Sequence, residues 1–225
     1  ANNGASLRNV HIKRLYLDEL DAYPQYLPGE GEPVSISVVR TNSYAKDRKI
    51  FYISTPITSA NSRINQYYLK GDQRKFYVPC PHCGKMQELV FYKEDGGSYS
   101  IKKAVEKDGV KKRPYGLMFD SAECKDGNFS SVHYKCKFCG KKIEEYQKKE
   151  VVNKGEWRAT NPTKNKEYRS YQISSLYSLT FPWADIVRIF LEAGSDPAKL
   201  MSFYNLYLGL PFEETTSGVD EQKVL

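Results

Sequence analysis

The sequence contains no run of about 20 apolar residues, the length that a membrane-spanning helix requires. Its first residues do not follow the order of basic, apolar and small residues that marks a secretory signal. Internal repeats and long low-complexity tracts are also absent, which argues against a solenoid or a fibrous protein. Three histidines leave few candidates for imidazole catalysis. These absences predict a soluble, intracellular protein built from unlike segments.

The composition predicts a folded chain with a basic surface. The chain has 225 residues, of which 40% are hydrophobic and 27% charged, so it can bury a core and is not a disordered polymer. Lys and Arg total 34 against 27 Asp and Glu, which leaves a net charge of +7. This surplus favours a polyanionic partner, with an ordinary basic surface as the alternative.

Apolar runs at 15–17 and 50–53 predict two buried strands whose ends are polar or acidic. Helical spacing from Ile64 predicts a helix that stops at Gly71. Residues 93–113 hold seven Lys or Arg against four acids and suit an exposed hairpin or loop.

Two amphipathic helices are expected near the end of the chain. Apolar residues at helical spacing follow Trp183 until Gly194, and Asp196 with Pro197 suits the start of another helix, which would end at Gly209.

Four of the five cysteines form two CxxC pairs, Cys80 with Cys83 and Cys136 with Cys139, each followed by glycine. Two such knuckles supply the four sulfur ligands of a tetrahedral structural zinc site. A redox pair or free thiols are the alternative. We expect Cys124, His82 and His133 to be bystanders, because the two pairs already complete the ligand set.

The strand predicted at 15–17 ends in Asp18 and Glu19. In nucleoside triphosphatases of the P-loop type, acids at such a strand end hold Mg²⁺ and polarise the attacking water. Apolar runs followed by two acids are nevertheless common. The phosphate-binding pattern GxxxxGK[ST] does not occur, so we do not expect this chain by itself to hydrolyse ATP efficiently.

Taken in order, these motifs resemble the large subunit of the tailed-phage DNA-packaging terminase of the GpA type. The resemblance is carried by seven pieces of sequence, at 15–24, 29–33, 53–56 with 62–64, 72–84, 155–157, 174–178 and 203–211. It implies an α/β fold: part of a RecA-like P-loop sheet, an inserted zinc-ribbon-like β element and C-terminal amphipathic helices. The matching division of the chain is an ATPase half at 1–70, a zinc-knuckle insertion at 71–150, a helical connector at 151–211 and a linker toward a nuclease at 212–225.

The resemblance also implies roles for single residues. Asp18 would coordinate Mg²⁺ and Glu19 would be the general base for ATP hydrolysis. Ser54, Thr55 and Pro56 would form a loop that couples hydrolysis to DNA movement, with a helix-capping turn as the alternative for the first two.

The function implied is that of a motor that translocates and cuts viral DNA during capsid filling in the host cytoplasm. Its cofactors would be structural zinc, Mg²⁺ and ATP. Its partners would be double-stranded DNA, the terminase small subunit, the capsid portal and further copies of itself, with no membrane. In that family the phosphate loop comes earlier and the nuclease acids come later, so this chain resembles an internal fragment, expected to be inactive alone.

Two other functions stay open at this point. One is a zinc-ribbon module that binds nucleic acid or a protein without catalysis; the other is a metal-dependent nuclease using Asp18, Glu19 and Asp21. The enzyme hypothesis requires Asp18 and Glu19 to lie beside 54–56 at one sheet edge. The lysines and aromatics of the zinc segment would either contact DNA or fill a small core; the aromatics are Phe76, Tyr77, Phe91, Tyr92, Tyr99 and Tyr115.

Overall fold

The computed structural model describes residues 10–93, 105–107, 110–112, 114–161 and 167–213. Its strands are β1 (Arg14–Leu17), β2 (Lys49–Tyr52), β3 (Arg74–Pro79), β4 (Met86–Glu88), β5 (Tyr92–Lys93), β6 (Val105–Lys107), β7 (Val110–Lys112), β8 (Tyr115–Met118), β9 (His133–Lys135), β10 (Lys142–Ile143), β11 (Glu156–Ala159) and β12 (Tyr171–Gln172). Its helices are α1 (Pro33–Val39), α2 (Arg63–Lys70), α3 (Ser121–Lys125), α4 (Lys148–Asn153), α5 (Trp183–Ala193) and α6 (Pro197–Ser202). The mixture of helices and sheets confirms the α/β class.

The first part of the chain is organised around a parallel strand pair. β1 and β2 run side by side, with Arg14 opposite Lys49 and Leu17 opposite Tyr52. One face of this pair packs on α1 and α2 through a small core of four buried side chains, with seven partly buried residues against it. The buried side chains are Leu15, Leu17, Leu20 and Val34, and the partly buried ones are Ile12, Tyr23, Val38, Ile50, Tyr52, Ile64 and Tyr67.

The opposite face of the β1–β2 pair is open, so the prediction of two fully buried strands is wrong. Tyr16 is 59% exposed and Phe51 is 40% exposed, and their rings stack with centroids 4.7 Å apart. The reason is that the described sheet has only two strands, and only its α1 and α2 side is covered. A continuous apolar run predicts burial on both faces only where both faces receive a layer.

Antiparallel sheets form most of the remainder. β3 lies between β4 and β11 and also pairs with β12, while a second sheet has the order β10-β9-β8-β5. β6 and β7 pair as a hairpin, which agrees with the hairpin predicted within 93–113.

The C-terminal helices form as the sequence predicts. α5 ends at Gly194, and the Asp196 carboxylate accepts the first amide hydrogens of α6 from Ala198 and Lys199. α6 continues as a π-helical segment, Phe203–Leu208, that ends at Gly209 in the left-handed conformation. None of the helices in the described part of the chain is long and apolar enough to cross a membrane.

A large core joins these sheets to α5 and the π-helical segment. Trp183 is fully buried, and its indole N–H donates to the Leu176 carbonyl at 2.9 Å. Phe91 and Tyr115 are buried, which favours the core-filling role for these two aromatics. Tyr99 and the side chain of Tyr92 lie outside the described residues.

Candidate functional site

The parallel pairing of β1 and β2 brings the two predicted motifs to one edge. Asp18 and Glu19 follow β1, residues 54–56 follow β2, and the Leu20 amide donates to the Ile53 carbonyl at 3.1 Å. The two acids are exposed. Their position beside 54–56 is the arrangement that the enzyme hypothesis requires.

The turn after β1 has an unusual backbone. Glu19 adopts φ 50° and ψ 49°, the left-handed conformation that side chains other than glycine rarely take. Its amide donates to the Asp18 carboxylate at 3.1 Å, which orients that carboxylate against the turn. Leu20 is fully buried immediately afterwards, so the turn is anchored to the core while the acids face solvent.

Asp21 connects this turn to helix α2. One carboxylate oxygen accepts from the Ser62 hydroxyl at 2.6 Å and from the Ile57 amide at 3.2 Å, and the other accepts from the Ile64 amide at 2.8 Å. Ser62 is the N-cap of α2 and accepts the Asn65 amide at 3.1 Å. Both oxygens of Asp21 are therefore committed to the start of α2 and the loop before it.

The segment 54–56 is bound to the same residue. The Asp21 amide donates to the Ser54 hydroxyl oxygen at 3.2 Å, and that hydroxyl donates to the Thr55 carbonyl at 2.9 Å. Pro56 is buried, whereas Thr55 is exposed. Because Ser62 caps α2, neither Ser54 nor Thr55 is the capping residue of that helix.

The contact between Asp21 and α2 was not evident from the sequence, in which Asp21 is only a third acid after Asp18 and Glu19. With its oxygens already accepting three hydrogen bonds, it is poorly placed to bind a metal with Asp18 and Glu19. Among the described residues, the four cysteines are the one group whose ligand atoms converge enough to hold a metal ion. The structure therefore gives the acid-cluster nuclease no support.

The four cysteine sulfurs of the two CxxC pairs lie within 4.8 Å of one another. The Sγ atoms of Cys80 and Cys139 are 3.8 Å apart, and those of Cys83 and Cys136 are 3.9 Å apart. A tetrahedral site with zinc–sulfur bonds of about 2.3 Å has sulfur–sulfur edges of about 3.8 Å. The donor set and its spacing fit a tetrahedral, thiolate-binding metal ion.

Both knuckles have the same local geometry. In the first, Gly84 donates to the Cys80 carbonyl at 2.9 Å and the His82 amide points at the Cys80 sulfur at 3.4 Å. In the second, the equivalent distances from Gly140 and Phe138 to Cys136 are 3.0 and 3.4 Å. The glycines have φ 70° and 69°, which permits each tight turn.

The knuckles close two hairpins, β3 with β4 and β9 with β10, so the fold brings together two cysteine pairs that are separated by 52 residues in the chain. Gln87 on β4 is buried, and its side-chain oxygen accepts the Lys137 amide at 2.9 Å. Gln87 belongs to the hairpin that carries the first knuckle and contacts the second knuckle. Its position in the sequence does not indicate this role.

The surroundings of Cys80, Cys136 and Cys139 shift the pKa values of their thiols in different directions. Burial raises the pKa of Cys80 to about 12 and also raises the pKa of Cys136, whereas the Lys141 amide lowers the pKa of Cys139 to about 7. Binding of a metal cation would displace the remaining thiol protons, since the thiolate is the ligand.

The other candidate ligands lie outside the cluster. Cys124 is buried in the large core, with its sulfur 3.9 Å from the Ser131 hydroxyl. His82 Nε2 is hydrogen-bonded to the Lys142 carbonyl oxygen at 2.6 Å, and His133 Nδ1 is hydrogen-bonded to the Ser131 carbonyl oxygen at 2.6 Å. Neither histidine belongs to the converging ligand set.

Comparison with known families identifies the class of protein: an ATPase domain is followed in the chain by an endonuclease domain. The model of the phage terminase large subunit gpA ATPase domain matches residues 1–157, and that of the terminase large subunit gpA endonuclease domain matches 168–225. The chain therefore belongs to the gpA family of phage terminase large subunits, which confirms the resemblance stated above.

Among curated proteins, the chain is similar to the "Terminase, large subunit" of Enterobacteria phage P21, with 24% identity over 236 residues. The match covers 99% of this chain and 34% of the relative, so the chain spans about a third of that protein's length. No solved structure matches the chain significantly.

Proposed function

We propose that this chain works within an ATP-driven motor that packages viral DNA, where it supplies the acidic edge of the ATPase site. The observation that carries the proposal is the juxtaposition of Asp18 and Glu19 with 54–56 at the carboxyl ends of two parallel strands. Ligands of open α/β sheets bind outside this edge.

At this edge the two acids take different roles. Asp18 would hold Mg²⁺, and Glu19 would accept a proton from the water that attacks the terminal phosphate. Bound Mg²⁺ and ATP supply the phosphoryl chemistry, while the chain orients the water and accepts its proton. The hydrogen bond from the Glu19 amide orients the Asp18 carboxylate at this turn.

Asp21 gives the proposed coupling loop a physical route to α2. A change in the position of 54–56 alters the bond from the Asp21 amide to Ser54, and the Asp21 carboxylate binds the first turn of α2. Loss of a phosphate contact at 54–56 would therefore affect α2 through the Asp21 side chain, as in other nucleotide-driven switches.

The open face of the β1–β2 pair supports the partial P-loop sheet. Parallel sheets are normally covered on both faces, and Tyr16, Phe51 and the 50%-exposed Ile53 leave an apolar surface there. Further parts of the ATPase domain would pack on this face and provide the phosphate-binding loop.

The four-cysteine cluster would hold zinc in a structural role. A four-thiolate site has no open coordination position, so its ion contributes folding energy and does not activate water. Double-stranded DNA, the small subunit, the portal and further copies of the large subunit would be the partners of the motor, acting in the host cytoplasm.

The test is ATP hydrolysis by the full-length large subunit that contains this chain. Glu19→Gln removes the base and should lower kcat about 100-fold or more. Glu192→Gln, which changes an exposed acid on α5, is the matched control and should leave kcat unchanged. Equal rates in the two variants would contradict the role of Glu19. Zinc and DNA binding without any ATPase activity would instead indicate the zinc-ribbon module.

A further inference from the structure

The two cysteine knuckles lie side by side and present a cluster of lysines, which we call the knuckle surface. It consists of Lys85, Lys135, Lys137, Phe138, Lys141 and Lys142. Contacts between the knuckles hold it together: Lys85 Nζ on the first lies 5.2 Å from the Phe138 ring on the second, and His82 of the first reaches the Lys142 carbonyl of the second.

The lysines of this surface have no acidic partners among the described residues. None of the five forms an ion pair there, and Lys85, Lys137, Lys141 and Lys142 are exposed. Of the neighbouring acids, Glu88 lies 3.7 Å from Lys75, and Glu144 forms a capping box with Gln147 in the turn that follows β10. The positive charge is therefore available to an external anion.

Two of the lysines are placed directly against each other. Lys135 on β9 is the cross-strand neighbour of Lys142 on β10. Like charges in this position destabilise a sheet, so the pair weakens the hairpin unless an anion binds it.

A metal ion in the cluster does not account for all this charge. A divalent ion with four thiolates carries a net charge of about −2, whereas the surface carries five lysines, so an excess of positive charge remains. Phe138 is 49% exposed on this surface; Lys137 precedes it in the sequence, and Lys85 Nζ lies 5.2 Å from the centroid of its ring. Several exposed lysines on one surface suit an extended polyanion, which can contact many of them at once, better than a single small anion.

We infer that the knuckle surface binds the phosphate backbone of double-stranded DNA without reading its sequence. The lysines alone indicate that the ligand is a polyanion, and the choice of DNA as this polyanion rests on the function proposed above. Lysine contacts to phosphates position a protein on the duplex and carry no sequence information, which suits a protein that must move along any sequence.

The test measures binding of this chain to a fluorescent 30-base-pair duplex between 50 and 200 mM salt. Each phosphate contact contributes about 0.9 to the slope of log affinity against log salt concentration. The triple variant Lys137→Gln, Lys141→Gln, Lys142→Gln should lower the slope by about 2 to 3 and weaken binding about tenfold or more at 50 mM. A second duplex of different sequence should give the same values.

The matched control is Lys46→Gln, Lys125→Gln, Lys199→Gln, which removes three exposed lysines from other elements and the same net charge. Equal losses in both triple variants would overturn the inference, because they would indicate a diffuse effect of net charge. So would absence of duplex binding by the wild-type chain, or stronger competition by polyglutamate than by unlabelled duplex, which would assign the surface to an acidic protein.

Metal content is measured on every variant, in order to separate DNA binding from a role of the lysines in balancing the charge of the thiolates. Loss of metal or of the folded state in the knuckle variant, with DNA affinity unchanged per folded molecule, would overturn the inference. These results are separate from the ATPase test: failure here leaves the dependence of ATP hydrolysis on Glu19 untouched, and failure there leaves the salt slope unchanged.

Discussion

Replacing Asp21 with alanine should loosen the connection between the acidic turn and α2. The variant removes both carboxylate oxygens and leaves the Ser62 hydroxyl, the Ile57 amide and the Ile64 amide without their acceptor. Ser62 is fully buried, so water cannot readily replace the lost partner there. Ile57 is exposed, and its amide can bind water instead.

The expected cost follows from the bonds that lie away from solvent. A hydrogen bond to a charged group contributes about 1.5 to 3 kcal/mol. Two such bonds, from Ser62 and Ile64, at the lower value give about 3 kcal/mol for the local stability of α2. Since about 1.4 kcal/mol is a factor of ten, opening of this region should become about a hundredfold more frequent.

Hydrogen exchange is the suitable assay, because Trp157 and Trp183 both lie outside the small core formed by β1, β2, α1 and α2. Amides in 57–70 of the Asp21→Ala chain should exchange about a hundredfold faster, and amides in α5 should not change. Asp18→Ala is the matched control. Asp18 is exposed and its carboxylate accepts only the neighbouring Glu19 amide among the described residues, so α2 should keep its protection.

The reasoning would be refuted if the two alanine variants changed exchange in 57–70 equally. It would also be refuted if Asp21→Ala accelerated exchange uniformly over both cores, since that would show a global loss of stability.

Two further predictions concern the metal and the backbone. Cys80→Ser should abolish stoichiometric zinc binding and lower the melting temperature, whereas Cys124→Ala should retain one zinc per chain. Elemental analysis measures the zinc content, and thermal unfolding measures the melting temperature. One zinc per chain in Cys80→Ser would exclude the four-thiolate assignment. Gly209→Ala should destabilise the chain by about 2 kcal/mol or more, because a Cβ there would lie 2.7 Å from the Ile173 carbonyl oxygen at φ +61°. Gly127→Ala, with φ +86° and no atom within 4 Å, should cost about 1 kcal/mol. Urea unfolding followed by tryptophan fluorescence compares the two, and equal losses would show that the close contact is unimportant.

Several features could be predicted from the sequence because they depend on neighbours in the chain. The CxxCG spacing defines each knuckle locally, and both form as expected. Helix α5 and the start of α6 follow from apolar spacing, a capping aspartate and a proline. The roles of Asp18, Glu19 and 54–56 in catalysis and coupling stay predictions, as does the division of the chain at residues 70, 150 and 211.

Other features depended on contacts between distant segments, which local patterns do not encode. The sequence determined which residues are acids, thiols and helix caps, and thereby the class of chemistry that the chain can perform. Only the tertiary structure decided that Asp21 binds α2 instead of a metal, that Gln87 supports the opposite knuckle, and that one face of the β1–β2 pair stays open. The physical reason is that a carboxylate or an apolar side chain acquires its role from the donors or the layer that reaches it, and here those come from strands and helices tens of residues away.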